Sequence, residues 1–233
     1  CIADANIFIS NDQKNQIISH LKVNNPYVVY SSLEKDHSEV YSKIKNFKSF
    51  NKTTIIVSTL WLSKPSIARK GLYETLDALE ILNDQSFIFY IVGKKDDFYK
   101  DLIKKIEKLK IKDKVKILTD LPSTDKIKLL ESADLYVQPS YCEGLGNAVI
   151  EAMSRGCFPI VSRFASQPEV VSNIGYIVNE VCKINIAEKI LTYLNQTDEK
   201  KYILKNKILD FSHEKFSYDF HLKKVKEIFK SLN

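Results

Sequence analysis

The sequence predicts an α/β fold, a Rossmann-like doubly wound parallel sheet, for the greater part of its 233 residues. From Thr53 onward, strand-like segments alternate with helix-like segments of about 10–15 residues. The strand-like segments are apolar almost throughout, which is typical of strands that are buried on both faces of a parallel sheet. Glycines follow two of these strands, at the sheet edge where ligands bind in such folds.

The predicted elements follow one another in a regular order. Val, Ile, Phe and Tyr dominate the strands, whereas the helices repeat their apolar residues every three or four positions. The order is strand TTIIVS, helix KGLYETLDALEIL, strand SFIFYIV, a lysine-rich helix, strand VKILT, helix STDKIKLLESA, strand DLYVQ, helix GNAVIEAMSR and strand FPIVS. A turn at SQPEVV, a strand at IGYIV and a helix at INIAEKILTYLNQ complete the unit.

Three parts of the chain are predicted: residues 1–50, 51–197 and 198–233. The first part reads as strand ANIFIS, helix NDQKNQIISHL, strand PYVVY and a polar helix or linker, DHSEVYSKIKNF. A unit of this size cannot close a core alone, so we expect it to end a preceding domain and the chain, which begins with Cys1, to be a fragment. The central part is the Rossmann-like unit, and the last part is predicted to be helical.

Composition narrows the class of protein. A hydrophobic content of 44% and a charged content of 27% are typical of a soluble globular protein. The sequence shows no signal peptide and no apolar run of about 18 residues that would span a membrane. The four cysteines have no CxxC spacing, so we expect reduced thiols and a cytoplasmic location.

The net charge of +6 comes in part from a lysine-rich segment, residues 94–116. A solvated helix face is the expected explanation, because Asp and Glu are interspersed there. Peripheral contact with the cytoplasmic face of an anionic membrane stays open as an alternative. Nucleic acid is not an expected partner, because the segment has few aromatic side chains on which bases could stack.

Three of the six glycines lie in the segment PSYCEGLGNAVIEAMSRG, residues 139–156. Gly144 and Gly146 have no Cβ and would let the backbone approach a ligand closely. The predicted helix that begins near Asn147 would direct unpaired N–H groups and its positive dipole end to the same place. This arrangement favours an anion, most naturally phosphate. The alternative is that the glycines only shape the turn.

Glu143 and Glu151 stand eight residues apart in the same segment. A carboxylate accepts two hydrogen bonds and therefore suits the vicinal hydroxyls of a sugar or a ribose. Two structural alternatives remain open. Glu151 could form an i,i+4 ion pair with Arg155, and Glu143 could be a solvated charge in a loop.

A second loop, STLWLSKPSIARKGL, brings Lys64, Arg69 and Lys70 to the predicted start of a helix. Cations at that position oppose the helix dipole, and a bound diphosphate would relieve the conflict. The alternative is a flexible basic loop. Gly93 marks a third loop at the same sheet edge. No HExxH, D-x-D or P-loop motif occurs, so no metal and no other cofactor is expected.

These residues, in this order, resemble the C-terminal, donor-binding domain of glycosyltransferase family 4, the retaining transferases of the GT-B fold. The resemblance rests on RKG, YIVG, ADLYVQPSYCEGLGNAVIEAMSRGCFPIVS and QPEVV, and it covers about residues 53–196. The first part of the chain resembles the end of that fold's N-terminal domain. FSHEKFSYDFHLKKVKEIFKSL resembles the C-terminal helices, which return to the N-terminal domain.

The resemblance implies that a sugar is transferred from a nucleoside-diphosphate sugar to a hydroxyl of a glycan or lipid-linked acceptor, in polysaccharide or glycolipid biosynthesis. The transfer would retain the anomeric configuration and need no metal. Glu143 would contact hydroxyls of the donor sugar, and Glu151 would bind the ribose. Lys70 would neutralise the diphosphate and the charge on the leaving nucleotide. Backbone N–H groups would hold the diphosphate at Gly144, Leu145, Gly146 and Asn147.

Two departures from the family pattern affect these expectations. Ser58 and Thr59 stand where the family has Gly-Arg, so they become the candidate substrate contacts there, and Arg69 or Lys64 would have to supply the missing cation. Most of the N-terminal domain is missing from the sequence. We therefore expect the chain alone to bind nucleotide weakly and to have negligible transferase activity.

Two other functions are compatible with the same fold. A GT-B fold sugar-nucleotide epimerase would need acid and base residues, for which the loops offer no candidates. A non-catalytic basic binding module would explain the missing Arg.

Overall fold

The structure is a computed structural model that describes residues 3–33 and 53–232. The chain begins with a small unit in which two parallel strands, β1 (Asn6–Phe8) and β2 (Pro26–Val28), are joined by the helix α1 (Asn11–Ile18). This unit agrees with the strand–helix–strand pattern of the sequence. The predicted helix or linker DHSEVYSKIKNF lies outside the described residues.

A six-stranded sheet in which all strands are parallel forms the centre of the molecule. Its strands are β3 (Thr54–Thr59), β4 (Phe87–Gly93), β5 (Val115–Thr119), β6 (Leu135–Gln138), β7 (Phe158–Ser162) and β8 (Tyr176–Val178). Their order, β5-β4-β3-β6-β7-β8, confirms the predicted doubly wound fold. The chain order reverses between β3 and β6, so the carboxyl ends of these two strands border the crevice in which ligands bind in such sheets.

Helices connect the strands of the central sheet, and three more follow its last strand. They are α2 (Lys64–Arg69), α3 (Leu72–Ile81), α4 (Tyr99–Ile106), α5 (Ser123–Ser132), α6 (Asn147–Met153), α7 (Gln167–Val171), α8 (Lys183–Leu194), α9 (Asp198–Phe216) and α10 (Tyr218–Ser231). Two of them, α2 and α7, form where the sequence predicted a loop and a turn. Each has a proline in its first turn, where the fixed φ of proline favours a helix and its missing N–H is not needed. Within residues 3–33 and 53–232, no helix combines the length and the apolar character needed to cross a membrane.

The burial of adjacent strand residues shows that both faces of the sheet are covered. Ile56 and Val57 point to opposite faces of β3, and both are 0% exposed. Helix α3 packs against α8, and α6 packs against α9. The apolar runs of the sequence therefore belong to strands buried between helices, as predicted.

The C-terminal helices return to the N-terminal unit, as the resemblance implies. The Leu33 N–H donates to the carbonyl of Phe216 at 2.8 Å, and His221 Nδ1 lies 2.8 Å from the carbonyl oxygen of Tyr30. In addition, Glu169 of α7 accepts hydrogen bonds from the backbone N–H groups of Asn11, at 3.0 Å, and of the next residue, at 3.3 Å. The N-terminal unit is thus attached to α7 and to both C-terminal helices.

Candidate functional site

An open cavity of about 830 Å³ lies at the carboxyl ends of the strands. This is the sheet edge at which the sequence places its polar loops. Parts of the chain that are distant in sequence form its wall: residues 31–33 of the N-terminal unit, 59–61 at the end of β3, 93–94 at the end of β4, 120–121 after β5, the start of α5, and several residues from 147 to 155 in and after α6. The cavity is therefore bordered by both the N-terminal unit and the central sheet.

Lys70 is a cation in the wall of this cavity, and its side chain is only 13% exposed. Its ammonium group donates to the carbonyl of Thr59 at 3.2 Å and to Oε1 of Gln138 at 3.1 Å. Burial lowers the pKa of Lys70 below its ordinary value, because the charged form loses hydration, and the nearby Glu143 offsets only part of this. A bound anion would restore the electrostatic stabilisation that the ammonium group has lost.

Glu143 is almost as buried as Lys70, with 12% of its side chain exposed. Its Oε1 lies 2.9 Å from Nη1 of Arg69 and 3.7 Å from Nζ of Lys70. The same oxygen accepts hydrogen bonds from Nε2 of Gln138 and from the hydroxyl of Ser140, each at 3.1 Å. Glu143 is therefore not a solvated loop charge. No hydrogen bond or ion pair from the described residues reaches its Oε2, which can accept a ligand hydroxyl.

Gln138 is a functional candidate that the sequence analysis missed. Its Oε1 accepts from Lys70, its Nε2 donates to Glu143, and the hydroxyl of Tyr136 donates to its Oε1 at 2.8 Å. The Tyr136 hydroxyl also lies 2.7 Å from Oγ1 of Thr59, and Gln167 donates to the Gln138 carbonyl at 2.9 Å. These contacts fix the amide so that it holds both charged groups in place. The available signal was a polar residue at the end of an otherwise apolar strand.

The glycines of the site serve different purposes. A Cβ at Gly144 would meet only Cδ1 of Ile9, at 3.5 Å, so packing within the protein does not require glycine at this position. Gly146 precedes α6 with a φ of +83°, which explains its glycine. At Gly93, a Cβ would lie 1.8 Å from the carbonyl oxygen of Leu60, so glycine is required there by the contact between two loops. Gly144 is thus the glycine that best fits close approach by a ligand.

Only some of the predicted residues line the cavity itself. Among the predicted substrate contacts, Thr59, Arg69, Gly93, Asn147 and Glu151 do so together with Lys70. The cavity wall stops short of the segment from Glu143 to Gly146, and the Leu145 side chain is buried in the core, which leaves only its backbone for a ligand. Ser58 does not reach the cavity, because its buried hydroxyl donates to the carbonyl of Val137 at 2.5 Å.

The structure distinguishes the two cations proposed to replace the missing Arg. Arg69 lines the cavity, pairs with Glu143 and donates to the carbonyl of Cys142 at 2.8 Å, whereas Lys64 is exposed and away from the cavity. Arg69 lies in the last turn of α2, and Lys70 caps its C-terminus. Cations are favourable at that end of a helix, but both also precede the start of α3 at Leu72, so α2 offsets the dipole conflict that the sequence predicted and does not remove it.

Glu151 has a different partner from the one considered in the sequence analysis. Its Oε1 lies 2.7 Å from Nζ of Lys126 on α5. Arg155 instead contacts Glu131, at 3.4 Å. Glu151 and Lys126 are each about one-third exposed, so the pair is accessible from the cavity that both residues line.

A doubly wound parallel sheet with cations, carboxylates and glycines at its switch point is typical of ligand-binding α/β domains. Solved structures identify its fold. A glycosyltransferase from Rickettsia africae has a TM-score of 0.81 and 18% identity over 98% of this chain and 63% of its own. HepE from Anabaena, in complex with UDP and glucose, has a TM-score of 0.81 and 20% identity over 98% of this chain and 64% of its own. The fold is that of the GT-B glycosyltransferases.

The chain belongs to the family described as glycosyl transferases group 1, whose family model matches residues 44–209. It is similar to the GDP-mannose:cellobiosyl-diphosphopolyprenol alpha-mannosyltransferase of Xanthomonas campestris, with 35% identity over 96 residues. The enzyme of the same name from Xanthomonas oryzae is 35% identical over 119 residues. These matches cover 40% and 47% of this chain, but only 25% and 30% of the two relatives.

Proposed function

We propose that this chain binds the donor substrate, a nucleoside-diphosphate sugar, of a retaining and metal-independent glycosyltransferase. The observation that carries the proposal is the cluster of Lys70, Arg69 and Glu143 at the carboxyl ends of β3 and β6. A sugar nucleotide needs cations for its diphosphate and an acceptor for its sugar hydroxyls. This cluster offers both, with Oε1 of Glu143 2.9 Å from Arg69 and 3.7 Å from Lys70.

Lys70 and Arg69 are proposed to neutralise the diphosphate. When the bond from the anomeric carbon to the diphosphate oxygen breaks, its electron pair moves to that oxygen. Lys70 is already positioned by Thr59 and Gln138, so it can stabilise the developing charge without reorganisation. Arg69 takes the role of the Arg that the family pattern has after the first strand.

The two glutamates have separate proposed roles. Glu143 accepts a hydrogen bond from a donor-sugar hydroxyl through Oε2, and its backbone neighbour Gly144 lets the donor approach. Glu151 accepts from the ribose hydroxyls, because only its Oε1 is paired with Lys126. The first N–H groups of α6, at Asn147 and Ala148, have no intrahelical partner and can donate to the diphosphate.

The relatives support a hexose donor. The two curated relatives are named for GDP-mannose as donor and for a cellobiosyl-diphosphopolyprenol acceptor, and HepE was crystallised with UDP and glucose. We propose that this protein takes part in glycan or glycolipid biosynthesis, with a glycan or lipid-linked acceptor. The acceptor half of a GT-B fold contributes to the catalytic cleft, so we expect negligible sugar transfer by the 233-residue chain alone.

Nucleotide binding can be measured through Trp61, the one tryptophan of the sequence, which lines the cavity. Its fluorescence is recorded while UDP, GDP or ADP is added to the wild type, Lys70→Ala and Glu151→Ala. Each substitution removes a charge-assisted hydrogen bond worth about 1.5–3 kcal/mol, so we expect affinity to fall roughly 10- to 150-fold. Lys64→Ala removes an exposed cation of the same loop and should bind like the wild type.

Binding that is lost in Lys70→Ala and Glu151→Ala, but kept in Lys64→Ala, would support the proposal. A wild-type protein that binds none of the three nucleotides would contradict it and favour a non-catalytic basic module. The transfer step has its own test, in which the chain is incubated with GDP-mannose and a glycan acceptor, with and without EDTA. Robust transfer would refute the expectation of inactivity, and transfer that EDTA abolishes would refute metal independence.

A further inference from the structure

Arg155 is a buried cation that has no role in the donor contacts proposed above. Its side chain is 7% exposed, yet it lines the same cavity as Lys70 and Glu151. Its Nη1 makes a long contact of 3.4 Å with Oε1 of Glu131. Its Nε–H is buried and has no hydrogen-bond partner among the described residues. Burying a donor without an acceptor is unfavourable, so a ligand that brings an acceptor to this point is favoured.

The position of Arg155 along α6 indicates which part of a nucleotide it would meet. The helix begins at Asn147, beside the proposed diphosphate position, and Glu151 lies in its middle. Its seven residues are about 10 Å long, and Arg155 follows its end. Ribose follows diphosphate and base follows ribose in a nucleotide. A nucleotide that runs along α6 therefore brings its base to Arg155.

The same cavity offers an environment that suits a flat, apolar ring with polar edges. Besides Arg155, its wall includes the apolar side chains of Leu121, Ile127 and Ile150. In such pockets, apolar walls supply most of the contact area, and a few polar groups fix the orientation of the ligand.

We propose that Arg155 hydrogen-bonds the base of the donor nucleotide and selects guanine over adenine; this rests on the proposed function. Guanine presents two neighbouring acceptors, O6 and N7, which match the planar fork of a guanidinium group. Adenine presents an amino group in place of O6, so its N–H donors would face the N–H donors of the guanidinium group, which disfavours binding. Uracil has one carbonyl oxygen on the corresponding edge and should be intermediate.

A structural role for Arg155 makes a different prediction. If its ion pair with Glu131 only joins α5 to the end of α6, its loss weakens binding of all nucleotides equally. Base selectivity separates the two roles, and it is measured as the ratio of the ADP and GDP dissociation constants, with Trp61 fluorescence as the signal. In the wild type we expect GDP to bind at least about fivefold more tightly than ADP, which is the lower bound for one good bidentate contact.

Arg155→Met keeps the length of the side chain but has no donor, so the ADP to GDP ratio should fall to near one while ADP affinity changes little. Glu131→Gln is the matched control, because it removes the ion pair and leaves the guanidinium group in place. Its ratio should stay at the wild-type value. If Arg155→Met does not fold, Arg155→Lys keeps the charge beside Glu131 without the planar fork and should lower the ratio.

A test on the wild type needs no substitution. The diphosphate of 2-aminopurine riboside has a purine ring without O6, and we expect it to bind severalfold more weakly than GDP. Equal affinity for GDP and this analogue, or a ratio that Arg155→Met leaves unchanged, would overturn the role of Arg155 while the proposed function stands. Absence of binding by every nucleotide would overturn both.

Discussion

Replacing Glu169 by Gln tests how the N-terminal unit is attached to the rest of the protein. The Glu169 carboxylate accepts from the backbone N–H groups of Asn11, at 3.0 Å, and Asp12, at 3.3 Å, at the start of α1. Nδ2 of Asn11, at 3.0 Å, and the hydroxyl of Tyr30, at 3.3 Å, also donate to it. Gln keeps the shape and one acceptor oxygen, but it loses the charge and turns the other oxygen into a donor.

The cost follows from these contacts. Hydrogen bonds to a charged group contribute about 1 kcal/mol more than neutral ones, and a negative charge at a helix N-terminus contributes about 0.3–1 kcal/mol. Because the site is partly exposed, we expect a loss of about 2 kcal/mol in the free energy of unfolding. For a chain of this size, 1 kcal/mol corresponds to about 2–4 °C, so the melting temperature of Glu169→Gln should fall by about 4–8 °C.

Thermal unfolding followed by far-ultraviolet circular dichroism measures this difference. Glu188→Gln is the control, because the Glu188 side chain is 63% exposed and its contact with Lys189 is long, at 3.5 Å. Its melting temperature should stay within about 1 °C of the wild type. If Glu169→Gln melts within 1 °C of the wild type, or if both variants lose the same amount, the attachment of α1 by this carboxylate is refuted.

Three further predictions concern the donor site. Gly144→Ala should keep the wild-type melting temperature, because the added Cβ fits the protein, but it should bind GDP at least about tenfold more weakly, because the Cβ occupies the ligand's space. Gly71→Ala, in contrast, should lower the melting temperature, since Gly71 has a φ of +66°. The affinity of the wild type for GDP should fall as the pH rises toward the lowered pKa of Lys70, because the neutral amine no longer attracts the diphosphate. The GDP affinity of Lys70→Arg should stay nearly constant up to about pH 10, because the guanidinium group keeps its charge. Glu143→Gln should bind GDP severalfold more tightly, because Arg69 and Lys70 lose the anion they share, and a titration that shows weaker GDP binding would contradict this.

The sheet and its loops could be predicted from the sequence because each depends on local patterns. Val115–Thr119 and Phe158–Ser162 form strands over the same residues that their apolar runs indicated. The proline signals for α2 and α7 were present but stood in segments too short to show helical periodicity. Packing against the sheet, which one sequence does not reveal, allows such short helices to form.

Side-chain partners could not be predicted where they depend on tertiary geometry. The pairing of Glu151 with Arg155 assumed a helix that continues through both residues, but α6 ends at Met153, so the i,i+4 geometry does not hold. Lys126, its actual partner, comes from a different helix. Likewise, the contact of Gln138 with both Lys70 and Glu143 requires the end of β6, the C-terminus of α2 and the loop after β6 to meet, and no local pattern reports this.

The single oxygen of Glu143 that Arg69 and Lys70 share gives the site an anion of its own. Inorganic phosphate must compete with the Glu143 carboxylate for the two cations, and it provides few hydroxyl donors to the carboxylate that it displaces. A sugar nucleotide supplies phosphates to the cations and hydroxyls to the carboxylate at the same time, so every group exchanges one partner for another. The site can therefore stay free of the small anions that are abundant around it and still accept a ligand that carries both chemical groups.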